Sequence, residues 1–277
     1  APDFVQSLVE TLDRRSIAMP RVVAESIVSH VCGVLRSDLD FYSELNEDEM
    51  MRAENLLERV LKGEPFEYAI GKVDFYGNQL MLSRCALIPR SETELMLDFA
   101  VKKLKALNRN SGVAIDLCCG SGCIGLGFKR AMPDYEVNLA DIDPHCIELA
   151  RDNARHLGLD VRVLKGDFLE PLQAIGGDVV FCNPPYISEA EFETLDKSVK
   201  DFEPKLALTA PDEGLYFYKK MAAEMAPHLS PGALLFVEFG SSQRKALETI
   251  FENSPFKVVS WERDLAGHDR FLVLELE

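Results

Sequence analysis

The residues with the most distinctive chemistry are Asn183-Pro184-Pro185-Tyr186, which directly follow the apolar run at residues 178–182. Such a run, with turn residues behind it, predicts a buried strand that ends in a loop. Two consecutive prolines fix two φ angles and remove two N–H donors, so the loop is stiff and presents acceptors such as the Asn183 side-chain oxygen. This arrangement suits a planar group that carries an NH2, held through its two N–H donors, with Tyr186 as a flat neighbour. The alternative is a proline-rich loop that only ends a strand.

A glycine-rich turn lies upstream, between a predicted strand at residues 113–117 and a predicted helix. The turn consists of Cys118, Cys119, Gly120, Ser121 and Gly122. Glycines allow a positive φ and close approach of a ligand, and the helix N-terminus adds free N–H groups with a partial positive charge. A second predicted strand ends about twenty residues later at Asp141, whose carboxylate can accept from both hydroxyls of a ribose.

Two ligand classes compete for this turn. Gly120, Gly122 and Gly125 spell the dinucleotide fingerprint G-x-G-x-x-G, which keeps an NAD-dependent dehydrogenase open. Asp116, however, precedes the glycines in the pattern Asp-x-x-x-Gly-x-Gly, which resembles motif I of S-adenosylmethionine-dependent methyltransferases. The tetrapeptide that begins at Asn183 resembles motif IV of the amino-methyltransferases. The order and spacing of both motifs within one α/β pattern favour a methyltransferase.

Further motifs occur along nearly the whole chain. They are residues 63–71, 75–77, 87–94, 202–204, 207–208, 238–240 and 264–270. Together with the two motifs above, this set resembles the PrmC/HemK family, the peptide chain release factor glutamine N5-methyltransferases. Three places depart from the family pattern: Cys118 stands where glycine is usual, Ser91 where proline is usual, and Ala210-Pro211 where two glycines are usual.

The resemblance implies transfer of a methyl group from S-adenosylmethionine to the side-chain amide nitrogen, N5, of the glutamine in the Gly-Gly-Gln loop of release factors. It implies that Asn183, Pro184, Pro185 and Tyr186 form the catalytic segment. It also implies that Asp167 accepts from the adenine amino group and that Phe168 packs on the ring. The residues expected to bind the cofactor are Cys118, Cys119, Gly120, Ser121, Gly122, Asp141, Ile142, Asp167, Phe168 and Asn183.

Three other functions remain open from the residues. A glutamine methyltransferase that acts on a ribosomal protein would have a similar catalytic core. A nucleic-acid amino-methyltransferase would need a target-recognition domain and a basic groove, and the sequence suggests neither. A catalytically silent adaptor would not need Asn183, Asp141 and the glycines of the turn, all of which are present.

Composition favours a protein partner. The chain of 277 residues has 30 basic and 46 acidic residues, a formal net charge of −16, which opposes binding of naked nucleic acid. We expect no membrane span, because no apolar run approaches the ~18 residues required, and the first residues lack a signal-peptide pattern. The seven cysteines lack a usual metal-site spacing, so we expect free thiols and no metal. We also expect a cytoplasmic monomer.

The predicted organisation is α/β. Residues 1–73 show helical periodicity and form a small helical bundle, for which the resemblance implies substrate docking; the acidic stretch that starts at Asn46 predicts the start of its third helix. Residues 74–90 form a hairpin linker with Gly77-Asn78 as the turn. Residues 91–277 form a Rossmann-like class I methyltransferase domain with a mostly parallel seven-stranded sheet, and Ser91 with Glu94 predicts a capping box at its first helix.

Overall fold

A computed structural model of the chain describes residues 2–42 and 44–277. The chain divides into two compact units, Ala1–Gly71 and Lys72–Glu277, called here the N-terminal unit and the sheet unit. Within the described residues, no helix combines the length and the apolarity that a bilayer crossing requires.

The N-terminal unit is a small helical bundle. Its elements are α1 (Pro2–Arg14), α2 (Pro20–Cys32), a 3-10 helix (Arg36–Phe41), α3 (Glu47–Leu61) and α4 (Phe66–Ile70). Leu12, Ile27 and Ala53, from the three longest helices, are fully buried in one core. The side chain of Asn46 accepts from the Glu49 N–H at 2.9 Å, and the Glu49 carboxylate accepts from the Asn46 N–H at 2.9 Å. The start of the third helix is therefore as the acidic stretch predicts.

A hairpin begins the sheet unit, one residue out of register with the prediction. Strands β1 (Lys72–Phe75) and β2 (Asn78–Met81) are antiparallel, and Phe75 faces Asn78. The predicted turn at Gly77-Asn78 is wrong, because Tyr76 and Gly77 carry the positive φ angles, 46° and 71°. Two consecutive positive φ values define a tight hairpin turn, and Asn78 is already a buried strand residue.

The main sheet has seven strands in the order β5-β4-β3-β6-β7-β9-β8. The strands are β3 (Gly112–Leu117), β4 (Tyr135–Asp141), β5 (Arg162–Lys165), β6 (Val179–Cys182), β7 (Leu234–Glu238), β8 (Phe256–Arg263) and β9 (Asp269–Leu276). The five neighbouring strands β5, β4, β3, β6 and β7 are parallel, whereas β9 is antiparallel to both β7 and β8. The predicted Rossmann-like, mostly parallel seven-stranded fold is confirmed.

Helices cover both faces of this sheet. They are α5 (Ser91–Ala106), α6 (Cys123–Ala131), α7 (Pro144–Leu157), α8 (Glu170–Ile175), α9 (Glu189–Phe192), α10 (Lys197–Lys200), α11 (Lys205–Leu208), α12 (Tyr216–Glu224) and α13 (Arg244–Glu252), with a 3-10 helix at Ala226–His228. Side chains alternate across β3, so Ala114 joins the core under α5, α6 and α7, whereas Ile115 and Leu117 join the core under α8, α12 and α13. Burial on both faces explains why the strand is apolar along its length.

The strand order reverses beside β3. The chain proceeds outward from β3 to β4 and β5, then returns to place β6 on the other side of β3. Helical connections leave on opposite faces at such a reversal, which opens a crevice at the carboxyl ends of the strands. The residues that directly follow β3, β4, β5 and β6 are Cys118, Ile142, Gly166 and Asn183.

Helix α5 begins differently from the prediction. Its N-cap is Arg90, without a side-chain hydrogen bond, so the predicted capping box of Ser91 and Glu94 is wrong. The Glu94 carboxylate instead accepts from the backbone N–H of Tyr76 at 2.8 Å. A long-range partner has replaced the local one, and the contact fixes the hairpin turn to the first turn of α5.

We predict that Asn46→Ala lowers the free energy of unfolding of the N-terminal unit by about 1 kcal/mol, because the Glu49 N–H loses its acceptor. Urea denaturation of the full chain, followed by circular dichroism, measures the change. Asn46→Ser keeps an acceptor and is the matched control. Equal stability of Asn46→Ala and wild type would contradict the role of this cap.

Candidate active site

The crevice at the strand ends is a cavity that collects most of the predicted site. Its empty volume is ≈ 1070 Å³, part of it open to solvent. The predicted residues that line it are Cys118, Cys119, Gly120, Ser121, Asp141, Ile142, Asp167, Phe168, Asn183 and Pro185. Gly122, Pro184 and Tyr186 do not line it, so any role of these three in the site is indirect or depends on backbone groups.

Every second residue of the glycine-rich turn has a left-handed backbone conformation. Cys118, Gly120 and Gly122 have φ angles of 58°, 54° and 80°. Cys119 lies between them and donates its N–H to the Ala140 carbonyl at 2.9 Å, which ties the turn to the end of β4. Glycine is the residue best suited to the conformation that Cys118 adopts, since a side chain there is strained. Cys118 therefore adopts, at a cost in strain, a backbone conformation that glycine adopts freely.

Asp141 is held rigidly at the end of β4. One carboxylate oxygen accepts from the Gly120 N–H at 2.8 Å, and the other accepts from the Asp143 N–H at 2.9 Å. Burial raises the pKa of Asp141, and these two N–H donors oppose that effect. Each oxygen keeps a further lone pair, so a ribose diol can still be bound.

Asp116 lies under the turn, fully buried at 0% exposure. One of its oxygens accepts from the Gly125 N–H at 2.9 Å, whereas Oδ1 is buried without a hydrogen-bond partner among the described residues. Burial raises the pKa of Asp116 to about 7. A Cβ on Gly125 would lie 2.1 Å from Leu139 Cδ2, so this glycine serves the packing of α6 on the sheet. The third glycine of the apparent dinucleotide fingerprint is thus explained by packing.

The segment that begins at Asn183 is fixed from behind. The Tyr186 carbonyl accepts from the Gln243 side-chain amide at 2.9 Å, and Ile187 exchanges backbone hydrogen bonds with Leu208 and Ala210 at 2.9 and 3.0 Å. Gly214, with φ 79°, passes so close that a Cβ there would lie 2.1 Å from the Tyr186 carbonyl oxygen. Backbone contacts therefore set the position of the two prolines and of Asn183.

A chain of hydrogen bonds, called here the amide network, joins Asn183 to a buried acid. Asn183 Nδ2 donates to Thr93 Oγ1 at 3.3 Å, Thr93 donates to Glu238 Oε2 at 2.6 Å, and the Tyr186 hydroxyl donates to Glu238 Oε1 at 3.4 Å. Glu238 is 2% exposed, and burial raises its pKa to about 7 although Thr93 and Arg270 oppose that effect. Burial also raises the pKa of Tyr186, which keeps its hydroxyl protonated.

A further buried acid, Glu203, supports the wall of the cavity. Glu203 forms a salt bridge with Arg90, and its other oxygen accepts from the Ile88 N–H at 3.2 Å. Arg84 lies over the Phe202 ring at 4.9 Å. These contacts tie residues 84–90 to the loop that carries Leu206 and Ala207, which line the cavity. Arg90 is thus paired with a buried carboxylate and not with a surface one.

The outer end of the cavity is formed after β5. The Asp167 side chain is exposed, and its backbone N–H donates to Glu170 at 2.8 Å. Phe168 has a φ of 46° and is buried, with its ring edge-on to Phe217 at 4.9 Å. An exposed carboxylate beside two aromatic rings and the exposed Ile142 can receive a flat heterocycle with an amino group.

Sequence reasoning missed part of the site. Thr93 and Glu238 come from α5 and β7, and Glu203 comes from the loop before α11. The acidic and hydroxyl residues after Pro89 and the Glu238-Phe239-Gly240 stretch were visible as motifs, but their partners lie far away in the chain. All seven cysteines are free, and in residues 2–42 and 44–277 no three His, Cys, Asp or Glu side chains are grouped to hold a metal ion.

Known proteins resemble both units. Residues 3–71 match the family described as PrmC N-terminal domain, and residues 93–209 match that described as Methyltransferase small domain. A "Release factor glutamine methyltransferase" of Thermodesulfovibrio yellowstonii is 32% identical over 250 residues, 88% of this chain and 90% of that protein. One of the same name from Chlamydia trachomatis serovar D is 34% identical over 266 residues, 96% of this chain and 91% of that protein.

Solved structures agree on the fold. A methyltransferase from Pyrococcus furiosus superposes with a TM-score of 0.55 at 17% identity, covering 80% of this chain and 98% of that one. The human Mettl16 catalytic domain superposes with a TM-score of 0.52 at 16% identity, covering 84% and 82%. Identities this low support the shared architecture alone.

We predict that Gly214→Ala displaces the segment from Asn183 to Tyr186, because the added Cβ meets the Tyr186 carbonyl. We expect a loss of about 1–3 kcal/mol in stability beyond that of the control, and at least a tenfold loss of activity. Gly267→Ala is the control, since Gly267 also has a positive φ, 85°, but no heavy atom within 4 Å of an added Cβ. Denaturation and turnover measurements compare the two, and equal effects would contradict the clamp.

We predict that Asp116→Asn flattens the pH dependence of stability. The pKa of Asp116 is raised on folding, so the folded state binds more protons than the unfolded state, and wild-type stability falls as pH rises toward about 7. The slope from this group reaches about 1.4 kcal/mol per pH unit, and asparagine removes it. Urea denaturation from about pH 5 to about pH 8 measures it, with the exposed Asp160→Asn as the control. An unchanged slope in Asp116→Asn would refute the assignment.

Proposed function

Because the chain belongs to the release factor glutamine methyltransferase family, we propose that it methylates the side-chain amide nitrogen, N5, of the glutamine in the Gly-Gly-Gln loop of peptide chain release factors, with S-adenosylmethionine as methyl donor. The observation that carries the proposal is the placement of Asn183 beside the glycine-rich turn in one cavity. The cavity thus combines a side chain that can accept hydrogen bonds from an amide with a backbone turn that can hold a nucleoside.

The residues of the cavity fit this cofactor. The left-handed turn at Gly120 presents backbone to a ligand, and a Cβ on Gly120 would lie 3.6 Å from Ala86, inside the cavity wall. Asp141 would hold the ribose hydroxyls, while Asp167 and Phe168 would receive the adenine, with Ile142 packed beside it. When bound, S-adenosylmethionine supplies an electrophilic methyl group on a positively charged sulfur.

The chain contributes positioning at the acceptor nitrogen. A glutamine amide nitrogen is a poor nucleophile because its lone pair is delocalised into the carbonyl. Asn183 Oδ1 and the Pro184 carbonyl would accept its two N–H protons and direct the nitrogen toward the methyl carbon, while Tyr186 would act indirectly, through its hydrogen bond to Glu238. Positioning of this kind contributes on the order of 7–11 kcal/mol in favourable cases. The proton released after transfer leaves to water, so no histidine is required.

The charge of the chain supports a protein substrate. A formal net charge of −16 repels phosphates and suits a basic partner, so we propose no direct binding of nucleic acid. The N-terminal unit is proposed to dock the release factor. We further propose a monomer and a cytoplasmic location, the latter because all seven cysteines are free.

We predict that labelled methyl from S-adenosylmethionine appears on a purified release factor and that Asn183→Ala lowers this turnover by about 10²–10³-fold, the usual effect of removing one preorganised hydrogen-bond partner. Scintillation counting and mass spectrometry of the modified peptide measure it. Asn253→Ala, an exposed site at the end of α13, is the matched control and keeps wild-type turnover.

A release factor whose Gly-Gly-Gln glutamine is changed to alanine identifies the target atom and takes no label. Label on a ribosomal protein or on nucleic acid in place of the release factor would refute the proposed substrate. Equal turnover of Asn183→Ala and wild type would refute the proposed role of Asn183.

A further inference from the structure

We propose that Thr93 and Glu238 are positioning residues that hold the Asn183 amide with its oxygen toward the cavity, an inference that rests on the proposed function. Asn183 could in principle present either its oxygen or its NH2 to a bound glutamine, since the two ends of an amide have nearly the same shape. Only the oxygen can accept an N–H from the substrate. A device that selects this orientation is therefore part of the site.

The donors and acceptors of the amide network select it. Thr93 has one hydroxyl hydrogen, and it is donated to Glu238 Oε2 at 2.6 Å. The same Thr93 oxygen can then only accept, and it accepts from Asn183 Nδ2 at 3.3 Å. Asn183 Oδ1 accepts no hydrogen bond from the described residues, so it stays available to a ligand in the cavity that Asn183 lines.

The opposite orientation of the Asn183 amide is disfavoured for two reasons. A flipped Asn183 would place its oxygen against the Thr93 oxygen, whose hydrogen is already committed to Glu238, and would lose that hydrogen bond. It would also present an NH2 to the NH2 of the glutamine, so that two donors would face each other inside the cavity. Unmade hydrogen bonds in such places weaken the arrangement by roughly tenfold or more each.

Glu238 holds this order only while it is a carboxylate. Thr93 and Tyr186 both donate to it, so each of its oxygens acts as an acceptor and the carboxylate itself carries no proton to donate. A protonated Glu238 could donate to Thr93, whose hydrogen would then be free to turn toward Asn183. The pKa of about 7 places this change in the neutral range.

Other groups also influence the charge of Glu238. The titratable groups that interact with it are Glu92 of α5, Cys123 of α6, Cys182 of β6, Tyr186, Tyr218 of α12 and Arg270 of β9. Arg270 favours the carboxylate, whereas burial, the largest effect, and Glu92 oppose it. The Tyr218 hydroxyl donates to the backbone carbonyl of Glu238 at 2.9 Å, which fixes the end of β7 independently of the side-chain charge.

The test compares Thr93→Val, which keeps the shape and removes the hydroxyl, with Thr93→Ser, which keeps the hydroxyl. We expect Thr93→Val to lower kcat on the release factor by at least about tenfold with little change in the affinity for S-adenosylmethionine, measured by equilibrium dialysis, and Thr93→Ser to restore most of the rate. Thr249→Val, in an exposed helix turn, is the matched control. Equal kcat for Thr93→Val and Thr93→Ser would overturn the proposal.

The single-turnover rate of the wild type gives a second readout that does not depend on the folding of a variant. At saturating cofactor and substrate, we expect it to rise between about pH 6 and about pH 8 and then level off, because ionised Glu238 is the active form. Glu238→Gln should lose this rise. A flat wild-type profile, or an unchanged rise in Glu238→Gln, would overturn the proposal.

These results separate the inference from the proposed function. If the wild type leaves the release factor unlabelled, the proposed function fails. If the wild type labels it and Thr93→Val does so at the wild-type rate, the function stands and the positioning by Thr93 and Glu238 fails.

Discussion

The site depends on the burial of β3 between β4 and β6, with both faces covered by helices. Hydrophobic burial on both faces fixes the position and the register of the strand in the sheet. The point at which the backbone leaves the sheet, Cys118, is therefore fixed as well. The reversal of strand order then places the ends of β4 and β6 on either side of that exit. Asp141 and Asn183, 42 residues apart in the sequence, reach the same cavity because of this arrangement alone.

Asp116 and Glu238 are buried carboxylates within this apolar frame, and neither forms a salt bridge with a cation among the described residues. Asp116 receives one backbone N–H, and Glu238 receives two hydroxyls. Burial of an unpaired charge is unfavourable, and the raised pKa of each acid expresses that penalty. Both acids adjoin the segments that face the cavity. Their burial lowers the stability of the fold, and their hydrogen bonds orient backbone and side-chain groups of the site.

The sequence predicts what is local. Strand, glycine turn and helix around Gly120 follow from periodicity and turn chemistry, and Asp141 and Asn183 follow because strand ends share one edge of a sheet. The hairpin turn was misplaced by one residue, because Asn78 favours turns in general but is buried here by its strand partner. Thr93 and Glu238 could not be assigned, since they are 145 residues apart. Glu94 could not be assigned either, since its actual partner, the Tyr76 N–H, competes with an equally plausible local cap.

Gln243 and the close approach of Gly214 clamp the Tyr186 carbonyl, so the segment from Asn183 to Tyr186 loses conformational entropy before any substrate binds. The two prolines restrict the segment from Asn183 to Tyr186 already in the unfolded chain, and this clamp removes much of its remaining conformational freedom when the chain folds. The segment then has little left to lose at each encounter with a substrate. Binding energy is thus available to order the Gly-Gly-Gln loop of the proposed substrate, because glycines lose more conformational freedom than other residues when they are immobilised.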